Sequence, residues 1–324
     1  MFTSFQEYLE RRRPALDEAF RKELSGLLRD ISVGDGPSLM SGLEAGKKIR
    51  GCLSCMVSDA LGGTVEAAIP RAIAVELIQT ATLIHDDFVD QDTMRRGRPA
   101  VWTVEGARRA VLIGDVIFAS AIKMMSDLGK EDGAAVSHAI AQVSKGALHE
   151  PLDPVALARE IESDRLNGEL YQKIIRLKTG ILFGTACRLG AIAAGANGDL
   201  GQSCYRYGLR IGEAYQIADD LDDVKRHLSQ RSIHPRQMVA LAPALLSFVS
   251  DLLPYVLDFL RGKSTDLSGR ALEFFSTAKK FMETEIEHRL QSAVSEIEEH
   301  FPDNGYRELA KSAPRDIIRM FNQS

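Results

Sequence analysis

The chain has 324 residues, and 45% of them are hydrophobic, which is enough to build a large buried core. Its 40 basic and 45 acidic residues give a formal net charge of −5. This balance excludes a general nucleic-acid-binding protein, because such a protein needs a concentrated basic surface. No stretch rich in Pro, Gly and Ser divides the sequence, so we predict one domain over residues 1–324.

The N-terminal segment carries charges from Glu7 onwards and has no apolar core of signal-peptide length. Residues 238–250 are strongly apolar. Asp251, Pro254 and Asp258 interrupt this run before it reaches the roughly 20 residues that a membrane span requires. We therefore expect a cytoplasmic protein without a transmembrane segment, one that can lie near a membrane surface.

Apolar residues recur at helical spacing along most of the chain, as in Ile69, Ile73, Leu77, Ala81 and Ile84. The alternation of Val, Ile and Thr that is typical of strands is almost missing. These patterns predict an all-α helical bundle.

The first cationic motif in chain order is GKKIR, residues 46–50. Lys47 and Arg50 stand three residues apart and therefore share one face of a helix. Two cations on one face indicate a candidate anion site, which the sequence predicts at these two positions.

An aspartate motif follows the apolar stretch 74–84, with Asp86, Asp87 and Asp90 in LIHDDFVD. On a helix, residues at i and i+4 share a face and residue i+1 lies beside them, so the three carboxylates form a triad. The same spacing recurs after a second apolar stretch, at Asp219, Asp220 and Asp223 in QIADDLDD.

Both triads have the chemistry of magnesium sites. Mg²⁺ prefers hard oxygen ligands that leave room for water and phosphate, and neither motif has the D-x-D-x-D-G pattern of a calcium loop. Because each triad follows an apolar stretch, we expect its carboxylates at the inner end of a buried helix, where unpaired charge is costly. The open alternative is a solvated acidic helix face. A metal-dependent phosphohydrolase is disfavoured, since His138 and His149 complete no ligand set with His85.

Paired arginines come soon after the first triad, in the sequence RRGRP at residues 95–99. Gly97 and Pro99 are expected to end the helix and turn the chain, which places Arg95 and Arg96 near the aspartates. Arginine forks suit phosphate oxygens, so a phosphorylated ligand between the two charge sets explains the arrangement. A plain salt bridge between them is the alternative.

A later motif, YQKIIRLKTG at residues 171–180, carries Lys178 and Thr179 on an otherwise apolar segment. Both side chains are placed to reach phosphate or a developing charge. A lysine in such a segment requires a partner.

Together these motifs resemble those of the trans-isoprenyl diphosphate synthases, also called polyprenyl synthetases. Several ordered motifs make this resemblance far more specific than one aspartate motif alone. It covers nearly the whole chain, through GKKIR, ELIQTATLIHDDFVDQDTMRRGRPAVW, IGDVIFASA, YQKIIRLKTG and IGEAYQIADDLDDV.

The resemblance implies an all-α bundle around a deep central cavity, usually assembled as a homodimer. It implies that the two triads face each other across the cavity mouth and hold Mg²⁺, three ions with substrate bound, on an allylic diphosphate. Arg95 and Lys178 would contact the same diphosphate. The residues it implies for isopentenyl diphosphate are Lys47, Arg50 and Arg96, with Gln79 at a position that normally holds a contacting histidine.

The reaction implied by the resemblance begins when the allylic C–O bond ionises, and the metals stabilise the leaving diphosphate. The isopentenyl double bond then attacks the cation, and the released diphosphate takes the proton. Thr179, Gln216 and the carbonyl of Lys178 would stabilise positive charge through their dipoles. Ala81 and Thr82 would line the path of the growing chain, and their small size predicts a medium or long all-trans product.

The sequence departs from the family pattern at four places. Gln79 replaces the histidine, and Gly51 stands where a proline usually follows Arg50. The family's Gly-Glu-x-x-Gln reads GALHE here, so that Glu150 takes the place of the glutamine. The loop after Asp223 is shorter and lacks the usual Gly- and Lys-containing sequence.

Two further functions stay open at this point. A terpene cyclase or another diphosphate-ionising relative would need no isopentenyl site, and Gln79 and the short loop favour it, whereas Lys47, Arg50 and the paired arginines oppose it. A non-catalytic partner subunit of a synthase would have no need for six metal-directed carboxylates.

Overall fold

A computed structural model describes residues 2–31, 42–151, 153–162, 169–196 and 198–322. Almost all of these residues are helical, which confirms the predicted all-α fold. The α-helices are α1 (Phe5–Asp30), α2 (Ile49–Ala60), α3 (Val65–Val89), α4 (Val101–Glu105), α5 (Ala107–Leu128), α6 (Lys130–His149), α7 (Pro154–Glu162), α8 (Glu169–Ile174), α9 (Ile181–Ala193), α10 (Gly198–Gln230), α11 (Pro235–Phe248), α12 (Leu253–Leu260), α13 (Gly269–His300) and α14 (Gly305–Asn322).

Four short elements complete the described structure. A π-helix, Ile175–Gly180, joins α8 to α9, and a 3₁₀-helix, Ser250–Leu252, precedes α12. The strands β1 (Met94–Arg95) and β2 (Arg98–Pro99) pair antiparallel between α3 and α4.

The chain divides into two compact units. The first contains the described residues of Met1–Ala141, Leu182–Leu209 and Val294–Ile317, and the second contains those of Gln142–Ile181, Arg210–Ala293 and Ile318–Ser324. The single domain predicted over residues 1–324 stays a prediction.

The first unit contains the predicted apolar helix. Ile73, Leu77, Ala81 and Ile84, which share one face of α3, are all buried, as their helical spacing predicts, whereas Ile69 near the start of the helix is half-buried. Helix α3 packs along α5, where Gly114 leaves room for the ring of His85, since a Cβ there would collide with that ring. This packing fixes the end of α3 on which the first aspartate triad lies.

The second unit is built around the middle of α10 and helices α11 to α13. Its core is apolar, with Ile217, Leu245, Phe259 and Phe275 fully or almost fully buried. Burial of such side chains contributes roughly 1.5–3 kcal/mol each relative to exposure, so this core supports the half of α10 that carries the second triad.

Among the described residues, Val65–Val89 is long and apolar enough to cross a bilayer. Most of its apolar window, 61%, is buried inside the protein, which is the usual state of a core helix.

The close approach of α9 and α10 supplies a test of the packing in the first unit. A Cβ on Gly208 would collide with the carbonyl oxygen of Phe183 and stand 2.7 Å from Sγ of Cys187. We expect Gly208→Ala to lower the free energy of unfolding by about 2 kcal/mol, because the backbone must shift.

The matched control is Gly26→Ala in α1, where a Cβ would meet nothing within 4 Å. This change should raise stability by roughly 0.5–1 kcal/mol, because alanine favours a helix over glycine. Urea denaturation measures both variants. If Gly208→Ala were as stable as the parent protein, the close packing of α9 against α10 would be refuted.

Candidate functional site

The first triad lies at the C-terminal end of α3. Asp86 and Asp87 occupy its last turn, and Asp90 caps it, with its N–H donating to the carbonyl of Asp86 at 2.8 Å. Asp87 is buried, Asp86 is half-buried and Asp90 is exposed. The expected position at the end of a buried helix is therefore confirmed for this triad, with a gradient from buried to solvated carboxylates.

The paired arginines belong to a tight hairpin and not to a helix end. Helix α3 already ends at Val89, and Arg95 pairs with Arg98 across the two strands. Arg96 and Gly97 form the turn with φ of 52° and 73°, a left-handed conformation at both positions. The prediction that Gly97 and Pro99 end the helix is wrong, because the helix has already ended at Val89. Gly97 does turn the chain, but within the two-residue loop of the hairpin, which requires positive φ.

Arg95 holds the buried aspartate of the triad. Its Nε donates to Oδ1 of Asp87 at 2.6 Å, and its Nη2 lies 3.5 Å from Oδ2 of Asp92. Burial raises the pKa of Asp87 even though the guanidinium lowers it. Among the described residues no hydrogen bond reaches Oδ2 of Asp87, so the arginine orients the carboxylate and leaves one oxygen for a ligand.

The structure brings Arg96 to the GKKIR motif, about fifty residues earlier in the chain. A Cβ on Gly46 would stand 3.1 Å from Nη1 of Arg96, so the guanidinium lies directly against the glycine backbone. Lys47 lies before α2, which begins at Ile49, so the prediction that it shares a helix face with Arg50 is wrong. Lys47 is half-buried, and burial lowers the pKa of its ammonium. Two of the residues predicted to bind isopentenyl diphosphate thus lie on neighbouring segments.

The neighbouring Lys48, which the sequence did not single out, anchors this motif. It has φ of 54°, is buried, and places Nζ 2.9 Å from the carbonyl oxygen of Glu44 and 4.0 Å from the ring centre of Phe20. Burial lowers the pKa of Lys48. Arg50, the other predicted ligand, stacks its guanidinium on Phe183 at 4.4 Å.

Gly51, which replaces the family's proline, has a role of its own. Its N–H donates to Oε1 of the buried Glu76 at 2.8 Å. Proline lacks this donor. Glu76 thereby satisfies one of the unpaired N–H groups at the start of α2, the helix on which Arg50 lies.

The remaining predicted residues on α3 differ in burial. Gln79 is half-buried, and Ala81 is fully buried. Thr82 is half-buried, and its hydroxyl donates to the carbonyl of Ile78 at 2.9 Å. The role of Ala81 and Thr82 in chain length stays a prediction.

The second triad lies within α10 and not at its end. The helix continues from Asp223 to Gln230, so the expected position at a helix end is wrong here. Ion pairs of spacing i, i+3 support the continuation, with Lys225 3.3 Å from Asp222 and Arg226 2.8 Å from Asp223. No glycine or proline lies between Asp223 and Gln230 to end the helix earlier.

A hydrogen-bond chain in the second unit links the residues predicted to act on the cation. Thr179 donates from its hydroxyl to Oε1 of Gln216 at 2.7 Å, and Nε2 of Gln216 donates to Oδ1 of Asp220 at 3.2 Å. Tyr171, which is buried, donates to Oδ2 of Asp220 at 2.6 Å. Both oxygens of Asp220 are therefore held in a defined orientation.

Crowding and burial make the second triad costly to ionise. Burial raises the pKa of Asp220 to about 7, against the hydrogen bond from Tyr171 and together with repulsion by Asp219. Burial, followed by repulsion from Asp223 and Asp222, raises the pKa of Asp219 to about 6. A bound cation would relieve both penalties.

Lys178 lies on the π-helix and has the partner that its apolar setting requires. It forms an ion pair with Glu150, which directly follows α6. Short π-helical segments are rare and often occur at functional sites. In the sequence Glu150 stands out only as a departure from the family pattern. Its pairing with Lys178 cannot be predicted locally, because the two residues are 28 positions apart.

The donor set suits Mg²⁺, although no group of three or more acidic, histidine or cysteine side chains in the described chain could hold a metal ion by itself. Asp87 keeps one oxygen that forms no hydrogen bond with any described residue, and ionised Asp219 and Asp220 are destabilised by burial. Mg²⁺ takes few protein carboxylates and completes its shell with water and phosphate. His85 places Nε2 3.0 Å from the carbonyl oxygen of Val111.

Comparison with known proteins identifies the family. The family model described as polyprenyl synthetase matches residues 39–231, which is more than half of the chain. The chain therefore belongs to the polyprenyl synthetase family, as its motifs predict.

Among characterised relatives, the chain is 36% identical over 198 residues to geranylfarnesyl diphosphate synthase of Aeropyrum pernix, covering 57% of this chain and 60% of that protein. It is 31% identical over 180 residues to geranylgeranyl diphosphate synthase of Methanosarcina mazei, covering 55% of each. The match thus spans little more than half the length of these relatives.

Solved structures share the fold over nearly the full chain. A geranylgeranyl pyrophosphate synthase superposes with a TM-score of 0.75 at 22% identity, covering 96% of this chain and 98% of that one. Heptaprenyl diphosphate synthase from Staphylococcus aureus gives a TM-score of 0.74 at 18% identity with the same coverage. Identities this low establish the fold alone.

The raised pKa of Asp220 predicts how metal-free protein responds to pH. A carboxyl whose pKa rises from its ordinary value to about 7 on folding favours the folded state at low pH, and this contribution is lost as pH rises from about 4 to 7. Asp220→Asn should therefore raise the free energy of unfolding by about 2 kcal/mol at pH 8 and change it little at pH 4.

Urea denaturation of metal-free protein at both pH values makes this test. Asp251→Asn, at an exposed carboxylate, is the control and should leave the pH dependence as it is. If Asp220→Asn changed the free energy of unfolding by the same amount at pH 8 and at pH 4, the account of the second triad would be contradicted.

Proposed function

We propose that the protein is a Mg²⁺-dependent prenyltransferase that condenses an allylic diphosphate with isopentenyl diphosphate to give a longer all-trans polyprenyl diphosphate of medium or long chain. The observation that carries this proposal is the coexistence of two aspartate triads with the Lys47, Arg50 and Arg96 cation set on a chain of this family. The relatives named above are synthases of such diphosphates.

The proposed Mg²⁺ ligands are the six triad carboxylates: Asp86, Asp87, Asp90, Asp219, Asp220 and Asp223. Mg²⁺, three ions in the substrate complex, supplies the positive charge that stabilises the leaving diphosphate. Arg95 orients Asp87 and offers its remaining donors to the allylic diphosphate.

On the cation side, Thr179 and Gln216 present oxygen dipoles in a fixed arrangement, because their hydrogen-bond chain ends on Asp220. The carbonyl of Lys178 adds a third dipole, and its ammonium contacts the diphosphate. Such preorganised dipoles stabilise a carbocation without a nucleophile from the protein.

Lys47, Arg50 and Arg96 are proposed to bind isopentenyl diphosphate, with Gln79 as a neutral hydrogen-bonding group. The contact of Arg96 with the backbone of Gly46 supports this set, because it brings the hairpin and the GKKIR motif to one place. A homodimer and a cytoplasmic location are part of the same proposal.

The experiment that tests the function combines purified protein with Mg²⁺, labelled isopentenyl diphosphate and, separately, dimethylallyl, geranyl, farnesyl or geranylgeranyl diphosphate. Longer labelled diphosphates, separated by chromatography, are the expected products. Hydrocarbons without label would support the terpene cyclase instead, and no product from any primer would contradict an enzyme that acts alone.

Removal of one triad carboxylate tests the metal ligands. Asp219→Ala should lower turnover by at least about 100-fold, since it removes charge that holds the metal on the diphosphate. The fold should survive, because the raised pKa of Asp219 shows that its ionised carboxylate is itself unfavourable in the folded protein.

The matched control is Asp222→Ala, an adjacent acid outside the triad that pairs with Lys225. It should retain most of the activity. Full turnover by Asp219→Ala would show that this carboxylate holds no essential metal.

The length of the product tests whether Ala81 and Thr82 on α3 line the path of the growing chain. Ala81→Phe should give shorter products, because a ring at this position would block the path of the growing chain. Because Ala81 is fully buried, circular dichroism must first show that the variant is folded. Thr82→Phe, at the half-buried neighbouring position, is the second variant. Unchanged products from both folded variants would exclude this face of α3 as the tunnel wall.

A further inference from the structure

Glu150 stands where the family pattern has a neutral glutamine, and the structure shows what this exchange does. Its carboxylate forms an ion pair with the ammonium of Lys178 in the second unit. The side chains of Lys178 and Glu150 are 20% and 27% exposed. The pair is therefore partly shielded from water, which strengthens it relative to a surface pair.

The backbone around this pair is closely packed. A Cβ on Gly146 would stand 2.8 Å from the backbone nitrogen of Lys178 and 2.9 Å from Cβ of Leu177. Helix α6 therefore lies directly against the π-helix at this glycine. Glu150 comes four residues after this glycine, one position past the end of α6, so the close packing at Gly146 keeps its carboxylate near Lys178.

We propose that Glu150 occupies Lys178 in the substrate-free protein and thereby sets the affinity for the allylic diphosphate. This inference rests on the proposed function, in which the same ammonium contacts that diphosphate. The diphosphate and the Glu150 carboxylate compete for one cation. Binding must therefore break an ion pair that a glutamine at this position would not form.

The competition predicts the direction in which a substitution at Glu150 changes the affinity for diphosphate. Glu150→Gln keeps the size of the side chain and removes its charge, so Lys178 no longer has to leave an anion before it meets the ligand. A shared ion pair of this kind is worth enough to change affinity by about fivefold. The effect must act through Lys178, whereas a general change of net charge would act without it.

The experiment is calorimetric titration of the full chain with inorganic diphosphate in the presence of Mg²⁺. Glu150→Gln is expected to lower the Kd by about fivefold. Glu273→Gln is the matched control, because it removes the same charge from an exposed glutamate of the same unit that has no ion pair among the described residues, and it should leave the Kd unchanged.

A double-mutant cycle separates this role from a structural one. In a Lys178→Gln background, the gain from Glu150→Gln should disappear, because the competing cation is gone. In steady-state assays with geranyl diphosphate, Glu150→Gln should lower the KM for that substrate and leave the KM for isopentenyl diphosphate unchanged.

Three results would overturn the inference. A folded Glu150→Gln protein that binds diphosphate as weakly as the parent, or more weakly, contradicts it while the proposed function stands. The same gain in the Lys178→Gln background shows a general charge effect and also contradicts it. If the parent protein itself binds no diphosphate with Mg²⁺, the proposed function fails together with the inference.

Discussion

The constraint on which the site depends is the cost of placing several carboxylates close together on well-packed helices. Charges in such surroundings are stable only when something compensates them. In the first triad the compensation for Asp87 comes from Arg95, and in the second triad Arg226 pairs with Asp223 while Tyr171 donates to Asp220. This compensation is incomplete, as the raised pKa values of Asp87 and Asp220 show. A site built in this way favours a ligand that brings cations with it.

Glycines without side chains let the charged groups reach their positions. Gly46 admits the guanidinium of Arg96, and Gly51 supplies an N–H to Glu76 at the start of α2. Gly146 brings α6 against the π-helix and so sets the Lys178 contact. In each case the glycine allows an approach that a Cβ would obstruct, and a cation or its supporting helix depends on it.

Much of this site could be predicted from the sequence, because the relevant spacing is local. The burial of Leu77 and Ala81 follows from helical periodicity, and the triad on α3 follows from the i, i+1, i+4 pattern. The extent of α10 differs from the prediction. The acidic motif predicts the end of a helix, whereas ion pairs at i, i+3 support a helix that continues to Gln230.

Three features could not be located from the sequence. Arg96 and Lys48 adopt left-handed backbone conformations that glycine usually takes, and only the surrounding packing imposes them. The pairing of Lys178 with Glu150 joins segments that are distant in the chain. Such features depend on tertiary contacts, so the residue types alone cannot reveal them.

The most direct test of the account uses the single tryptophan of the chain as a reporter. Trp102 donates from Nε1 to the carbonyl of Asp92 at 2.7 Å and packs edge-on against Phe88, beside the first triad. Tryptophan fluorescence is titrated with MgCl₂ in the presence and absence of inorganic diphosphate. The account predicts a saturable change that requires both components and is lost in Asp87→Asn. A change produced by diphosphate without the metal, or no change with both, would contradict the claim that this triad binds a metal-bound diphosphate.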